Sequence, residues 1–372
     1  MEPVRDSTRD LRLLSELALA CPSFPDTTRQ LQVILRAEGD ELLCVLAEQD
    51  LDDLEALAIS NHVVLRAFDP LQLMLEQAGN SRGAEWVANS LRLERARIDH
   101  ALGFLEEICT ALEIGGCPIT VIKALDHWPD LGNDLDLYTD APAADVIEVM
   151  RSRFKAKPDA RSWGDRLANK WNFMVPGLPE LVEVHAGRLG QTGEQTAVAR
   201  SLSARTRLVQ VGAHEFRVPA PEDRIIISTL QRMYRHFYIR LCDIVDNAKL
   251  TDSYSVDFAY LHSLGRTAGL WEGIATYLGI ISQYVEAYRG DGVPLPLFVT
   301  RSAKFGADQV RFRRNFLRVP ILPHSLNLYA SELKRLVLKG DLRNSLRLSL
   351  LPGLATAAAL EQKLTGSDKG IW

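Results

Sequence analysis

Apolar positions along this chain change their period twice. From about residue 7 to 112 they recur every three or four residues, the spacing of a helix face. Between about 119 and 218 short runs alternate apolar and polar residues, as strands do. From Pro221 onward the helical spacing returns. In the first stretch Leu11, Leu14, Leu17 and Leu19 share one face before Pro22 and Pro25 break it. Helices are expected over Thr27–Ala37, Gly39–Ala47 and Asp52–Ile59, then a segment with His62, Phe68 and Leu71 that ends near Gly79-Asn80-Ser81. Ala84–Leu112 reads as one long helix through Leu91, Ile98, Leu102, Leu105, Ile108 and Leu112, stopped by Gly115-Gly116.

The alternating stretch begins with the strand Ile119–Ile122 and the loop Leu125–Gly132. A strand centred on Asp134-Leu135-Asp136 and a helix over Ala141–Phe154 come next. Lys170–Val175 and Leu181–His185 flank Pro176-Gly177-Leu178-Pro179 and read as a hairpin. Ala186–Ala204 is polar and reads as a mobile substrate loop, and Arg207–Val218 as a strand pair around Gly212-Ala213. Pro221 opens a helix running to about Leu250, on which Arg232, His236, Arg240, Asp243 and Asn247 would share one face. The remainder is expected to be mostly helical, interrupted at Pro294–Pro296 and Pro320–Pro323.

Composition narrows this picture. A length of 372 residues calls for two or three domains, and 47% hydrophobic residues can bury a large core. The net charge of −5 provides no global basic footprint for nucleic acid. Residues 301–347 are locally basic, which suits an anionic partner such as RNA, an acidic protein or a membrane surface; the same face could also fold onto the acidic remainder of the chain. Five scattered cysteines without a C-x-x-C read as reduced thiols of a cytoplasmic protein. The charged start MEPVRDSTRD is not a signal peptide, and no apolar run is long enough for a transmembrane segment.

Chemistry concentrates in two strands. Asp134 and Asp136 lie two apart and project from one face, where like charges call for a cation between them. A solvated pair at a strand end is the alternative. Glu183 and His185 of LVEVH also share a face, so adjacent strands would bring a third carboxylate to the pair. Three such groups suit two metal ions about 4 Å apart and in-line attack at phosphorus. Lys123, at the end of the first strand, reads as a phosphate-binding cation or a solvated lysine. Gly132-Asn133 would make the turn that aims Asp134. Trp128 would stack on a base or pack on the core. Arg232 and Arg240 would neutralise triphosphate oxygens with Asp243 orienting one of them, or form a solvated stripe.

Three motifs carry a resemblance: Val121-Ile122-Lys123-Ala124, Asp134-Leu135-Asp136-Leu137 and Val182-Glu183-Val184-His185. Over roughly residues 25–250 the chain resembles the uncharacterised nucleotidyltransferase family of the DNA polymerase β-like nucleotidyltransferase superfamily. The resemblance implies an α+β fold, with a small mixed catalytic sheet at 89–220 between helical regions at 1–88 and 221–372. It implies that Asp134, Asp136 and Glu183 are catalytic and hold two Mg²⁺ ions. Lys123, Gly132, Asn133, Arg232, His236 and Arg240 would bind an NTP, ATP among the candidates. The reaction would move an NMP to a hydroxyl of a small molecule, protein or RNA. Transfer of the terminal phosphate would use the same metal site. Ala124 stands where that family has Gly, and Asp130 where it has Arg. These departures motivate the other expectation, an inactive nucleotidyltransferase-like module that binds through its basic C-terminal face.

Overall fold

Asn80 opens the longest element, Ser81–Ile114, by accepting a hydrogen bond from the Gly83 amide. The computed structural model describes residues 7–19, 48–253 and 256–365. All six apolar residues that mark this helix are buried, as their spacing requires. It is α4, preceded by α1 (Ser7–Leu19), α2 (Glu48–Asn61) and α3 (Val64–Gln77). The helices expected over 27–37 and 39–47 lie outside the described residues. At the end of α4 a Cβ on Gly115 would come within 2.5 Å of Val149 Cγ2, so a glycine lets α4 close against α5 (Ala143–Phe154).

The alternating stretch folds into a mixed five-stranded sheet. Its strands are β1 (Thr120–Val121), β2 (Asp134–Thr139), β3 (Lys157–Pro158), β4 (Lys170–Met174) and β5 (Leu181–Ala186), in the order β1-β2-β5-β4-β3. β2 and β5 run parallel, and the other neighbours are antiparallel. The short helix α6 (Trp163–Ala168) precedes β4 and carries a capping box between Ser162 and Asp165. β6 (Thr206–Val211) and β7 (His214–Pro219) form the expected hairpin, with Gly212 at φ 59° in its turn.

Three expectations need correction. Ala186–Ala204 is not a polar surface loop. It ends in α7 (Thr196–Ala204), and Gln191, Thr192, Glu194 and Gln195 are buried. Glu194 accepts from the Gln191 and Thr192 amides and the Thr192 hydroxyl, while the Gln195 amide meets Glu332. Inward hydrogen bonding makes this polar segment an internal one.

The helix from Pro221 is not continuous. α8 (Pro221–Thr229) passes into a π-helical turn, Leu230–His236, and Phe237 then reverses at φ 54°. β8 (Tyr238–Ile239) precedes α9 (Leu241–Ser253). Arg232, His236, Arg240, Asp243 and Asn247 therefore do not lie on one helix face, because helical spacing ends at His236.

The C-terminal part is helical as expected, through α10 (Phe258–Ala268), α11 (Trp271–Arg289), α12 (Leu297–Ser302), α13 (Leu326–Leu338), α14 (Leu342–Ser349) and α15 (Leu351–Thr365). It also holds a hairpin that the basic charge concealed, β9 (Arg311–Arg313) and β10 (Phe316–Arg318), with β10 paired to β8. Val337, Leu342, Leu346 and Leu350 are exposed.

One hydrophobic cluster extends from Leu11 to Leu328 and joins all three stretches of the chain. The Ser15 hydroxyl of α1 lies 2.7 Å from the Tyr284 hydroxyl of α11. Among the described residues no helix is long and apolar enough to cross a membrane. Cys109, Cys117 and Cys242 are free thiols.

Candidate active site

The sheet sorts its side chains by period two. Register pairs Asp136 with Glu183, Glu183 with Asn172, and His185 with Lys170. Asp134, Asp136, Glu183, His185, Lys170 and Asn172 therefore occupy one polar face. The opposite face carries Leu135, Leu137, Val182, Val184 and Phe173, all fully buried. A one-residue slip would turn the carboxylates into this apolar layer, so burial of the leucines and valines fixes where the acids point.

Ligand atoms of Asp136, Glu183 and His185 lie within 4.8 Å of one another. Lys123 Nζ pairs with Asp136 Oδ1 and stands 3.2 Å from Glu183 Oε1. Lys170 Nζ lies 2.9 Å from both Glu183 Oε2 and Asp165 Oδ1. His185 Nε2 donates to Glu183 Oε1 at 2.8 Å. Burial, reinforced by the Glu183 charge and opposed by Lys123, raises the Asp136 carboxyl well above its usual range. Glu183 goes the other way. Against its own burial, Lys123, His185 and Lys170 hold it well below. The two carboxyls of the pair are thus pushed in opposite directions. Burial takes His185 down to about 4, against the pull of Glu183, so its ring is neutral at pH 7. Its Nδ1 is buried and has no hydrogen-bond partner.

Lys123 reaches this position through an unusual backbone. It sits at φ 59° and ψ −61°, and the Ala124 amide donates to the Ile122 carbonyl at 2.6 Å. That is a γ-turn of the rare, strained hand, which non-glycine residues adopt at a cost of about 1–3 kcal/mol. The turn holds the ammonium between the carboxylates.

Asp134 and Asp136 line a cavity of about 80 Å³ with Lys123, Gly132, Asn133, Arg232 and Arg240. Arg232 is buried, and its Nε lies 2.7 Å from Asp243 Oδ2. Arg232 Nη1 and Arg240 Nε are buried without hydrogen-bond partners. A buried guanidinium N–H with nothing to donate to is costly and suits an oxyanion. Asp134 is exposed at the start of β2. It is not part of the close Asp136–Glu183–His185 group. His236 is elsewhere, on the wall of a second cavity. Trp128 packs half-buried against the core.

Asp130, the departure from the expected Arg, has a structural place. It accepts from the Leu65 amide at 2.6 Å, the Arg66 amide at 3.3 Å and Arg66 Nε at 2.8 Å. Arg66 Nη1 continues to Asp246 at 2.6 Å, and Asp246 accepts from His127 Nδ1. This buried chain ties α3, the loop after β1 and α9 together beneath the cavity. His62 stacks on His127 with ring centres 5.6 Å apart and is a packed histidine.

Lys170, Asp165 and the ligand position of His185 were not singled out from the sequence. The period-two run Lys170-Trp171-Asn172-Phe173 was the available signal, since it places Lys170 on the polar face of its strand.

The donor set fits a hard divalent cation. Two carboxylates face each other at strand register, and an ammonium already supplies positive charge between them. The imidazole widens the choice towards Mn²⁺ or Zn²⁺. No protein-family model matches the chain, nor does any curated protein or solved structure.

Proposed function

We propose that this chain is a Mg²⁺-dependent nucleotidyltransferase that moves a nucleoside monophosphate from an NTP to an acceptor hydroxyl. The observation that carries the reading is the register of Asp136 against Glu183, beside a cavity lined by Arg232 and Arg240, each of which keeps a buried N–H without a hydrogen-bond partner. Asp136 and Glu183 would hold one ion, and Asp134 with Asp136 a second. When bound, the metal supplies charge neutralisation at phosphate and a lower pKa for the attacking hydroxyl.

The chain's own residues do the rest. Arg232 and Arg240 donate to phosphate oxygens, with Arg232 held by Asp243. Lys123, released from Asp136 when a cation replaces it, turns to phosphate. Lys170 and His185 keep Glu183 charged and oriented. The acceptor hydroxyl gives up its proton to solvent, its oxygen bonds to the α-phosphorus as the bond to the β-phosphate bridge breaks, and pyrophosphate leaves. Positioning and charge account for most of the rate. A cavity of about 80 Å³ takes phosphates and leaves ribose and base across its mouth.

The test is incubation with Mg²⁺ and each NTP labelled at the α- or γ-phosphate, followed by mass spectrometry of the protein and co-purified ligands. Appearance of α-label on an acceptor with release of pyrophosphate is the expected result. Movement of γ-label alone would make the enzyme a phosphotransferase.

The second reading is an inactive binding module. It is favoured by one observation, the Lys123 ammonium already bridging Asp136 and Glu183. Failure of all four NTPs to bind in calorimetry with Mg²⁺ present would select it.

A further inference from the structure

β9, β10, Phe237 and the Ile321–His324 turn border an open cavity of about 680 Å³. Arg311, Arg313, Arg314, Arg318, His236 and His324 are on its wall. Among the described residues none of these four arginines has an ion-pair partner, although the whole chain carries a net charge of −5. Arg311, Arg313 and Arg314 are exposed, so water and salt screen them from one another, and an anion among them would gain charge-assisted hydrogen bonds.

The wall is built rather than loose. Arg318 Nε donates to the Arg313 carbonyl at 3.3 Å, and its guanidinium lies 5.1 Å from the Tyr238 ring and 5.4 Å from that of Phe316. Tyr238 and Phe316 stack at 4.4 Å. The hairpin turn takes Arg314 and Asn315 at φ 51° and 65°, and buried Asn61 donates to the Asn315 carbonyl at 3.0 Å.

The cavity also adjoins the candidate active site. Arg232 and Arg240 line that site, and His236 and Phe237 line this one, all from one segment. The Tyr238 ring stands 5.5 Å from the guanidinium carbons of both Arg232 and Arg240 and 5.1 Å from that of Arg318, so arginines of the two cavities share one aromatic ring.

We infer that the arginine hairpin binds a phosphate-bearing small molecule and that this molecule is the acceptor. Its phosphate sits among the arginines and its hydroxyl reaches past Tyr238. The acceptor role rests on the nucleotidyltransferase reading, whereas the anion site does not. A volume of about 680 Å³ matches a small molecule. Exposed Ile321 and Leu322 on the same wall would accept an apolar body.

The probe is sodium tripolyphosphate, titrated into the full chain by calorimetry in EDTA. The comparison variant is Arg313→Ser with Arg314→Asn, since Asn tolerates the left-handed backbone at 314. Binding should weaken at least about tenfold in this variant and stay unchanged in Arg153→Ser, an exposed arginine of α5 that lines neither cavity. Sedimentation with phosphatidylcholine vesicles, with and without phosphatidic acid, separates the sources. Capture that needs phosphatidic acid and the two arginines assigns the phosphate to a lipid headgroup, and soluble binding alone assigns it to a free metabolite. Equal tripolyphosphate affinity in wild type and the double variant overturns the site. So does oligonucleotide binding that strengthens with length while tripolyphosphate does not bind. Intact tripolyphosphate binding without any Mg²⁺-dependent NTP binding contradicts the acceptor role and leaves the anion site standing.

Discussion

Two buried charge clusters lie on either side of one loop, and they differ in how their acids are satisfied. In the first, Asp130 and Asp246 accept from backbone amides, the Arg66 guanidinium and His127. Arg66, Asp130 and Asp246 are each at most 4% exposed. In the second, Asp136 and Glu183 are held by two lysines on long flexible stems, and their neighbours Arg232, Arg240 and His185 keep buried nitrogens without partners. His127, Cys242 and Asp246 are as closely grouped as Asp136, Glu183 and His185. Proximity of metal-ligating atoms therefore does not separate the clusters, but hydrogen-bond saturation does. On the function proposed above, the saturated cluster is structural and the unsaturated one is where a ligand would complete the bonding.

Substitution should break the two clusters differently. Asp136→Asn is expected to lower nucleotidyl transfer by about a thousandfold or more while leaving the unfolding midpoint nearly unchanged, measured by labelled transfer and denaturant titration. Arg66→Ala should do the reverse in kind. It strips two buried acids of their partner and should cost about 3–5 kcal/mol of stability in the same titration. Comparable loss of stability in both variants would erase the distinction.

A second contrast is in pH. The carboxyl of Asp136 is raised, so its folded pKa exceeds the unfolded one, and it must lose a proton before it can hold a cation. Mg²⁺ affinity should keep climbing with pH beyond the ordinary carboxylate range instead of levelling near pH 5. Linkage runs the same way: the contribution of Asp136 to apo stability is present at low pH and is lost as pH rises through its folded pKa. Asp246 is the opposite. Against its burial, Arg66 and His127 lower its pKa, so its contribution holds above the unfolded value and is lost on acidification. Calorimetric Mg²⁺ titrations between pH 5 and 9 check the first, and thermal unfolding below pH 5 the second.

The smallest expected effect concerns Lys123. Lys123→Met removes an ammonium that competes with a cation for Asp136 and Glu183. Mg²⁺ alone should bind more tightly, while the Mg²⁺–NTP complex binds about tenfold more weakly for want of the phosphate contact. Weakening of both would mean that the ammonium only supports the site.

The same contrast explains what could be read in advance. The D-x-D and V-E-V-H strands were legible because period-two alternation places Asp134 with Asp136, and Glu183 with His185, on one face of each strand whatever surrounds them, while the pairing of Asp136 with Glu183 comes from the sheet register. The long helix Ser81–Ile114 was legible because its stripe is continuous. The saturated cluster was not, since Arg66, Asp130 and Asp246 are remote in the chain and only tertiary packing makes them partners. Arg232 and Arg240 reached the cavity by a route that helical spacing did not describe, because a π-turn and a reversed Phe237 intervene. The arginine hairpin was hidden by charge, although Arg311-Phe312-Arg313 and Phe316-Leu317-Arg318 flank a two-residue turn.

The most direct measurement is calorimetry of ATP, GTP, CTP and UTP binding to wild type and Asp136→Asn, each with saturating Mg²⁺ and with EDTA. The account predicts that at least one NTP binds wild type with Mg²⁺ present and that this heat disappears in EDTA and in the variant. An isotherm unchanged by EDTA, or equal in Asp136→Asn, would contradict it.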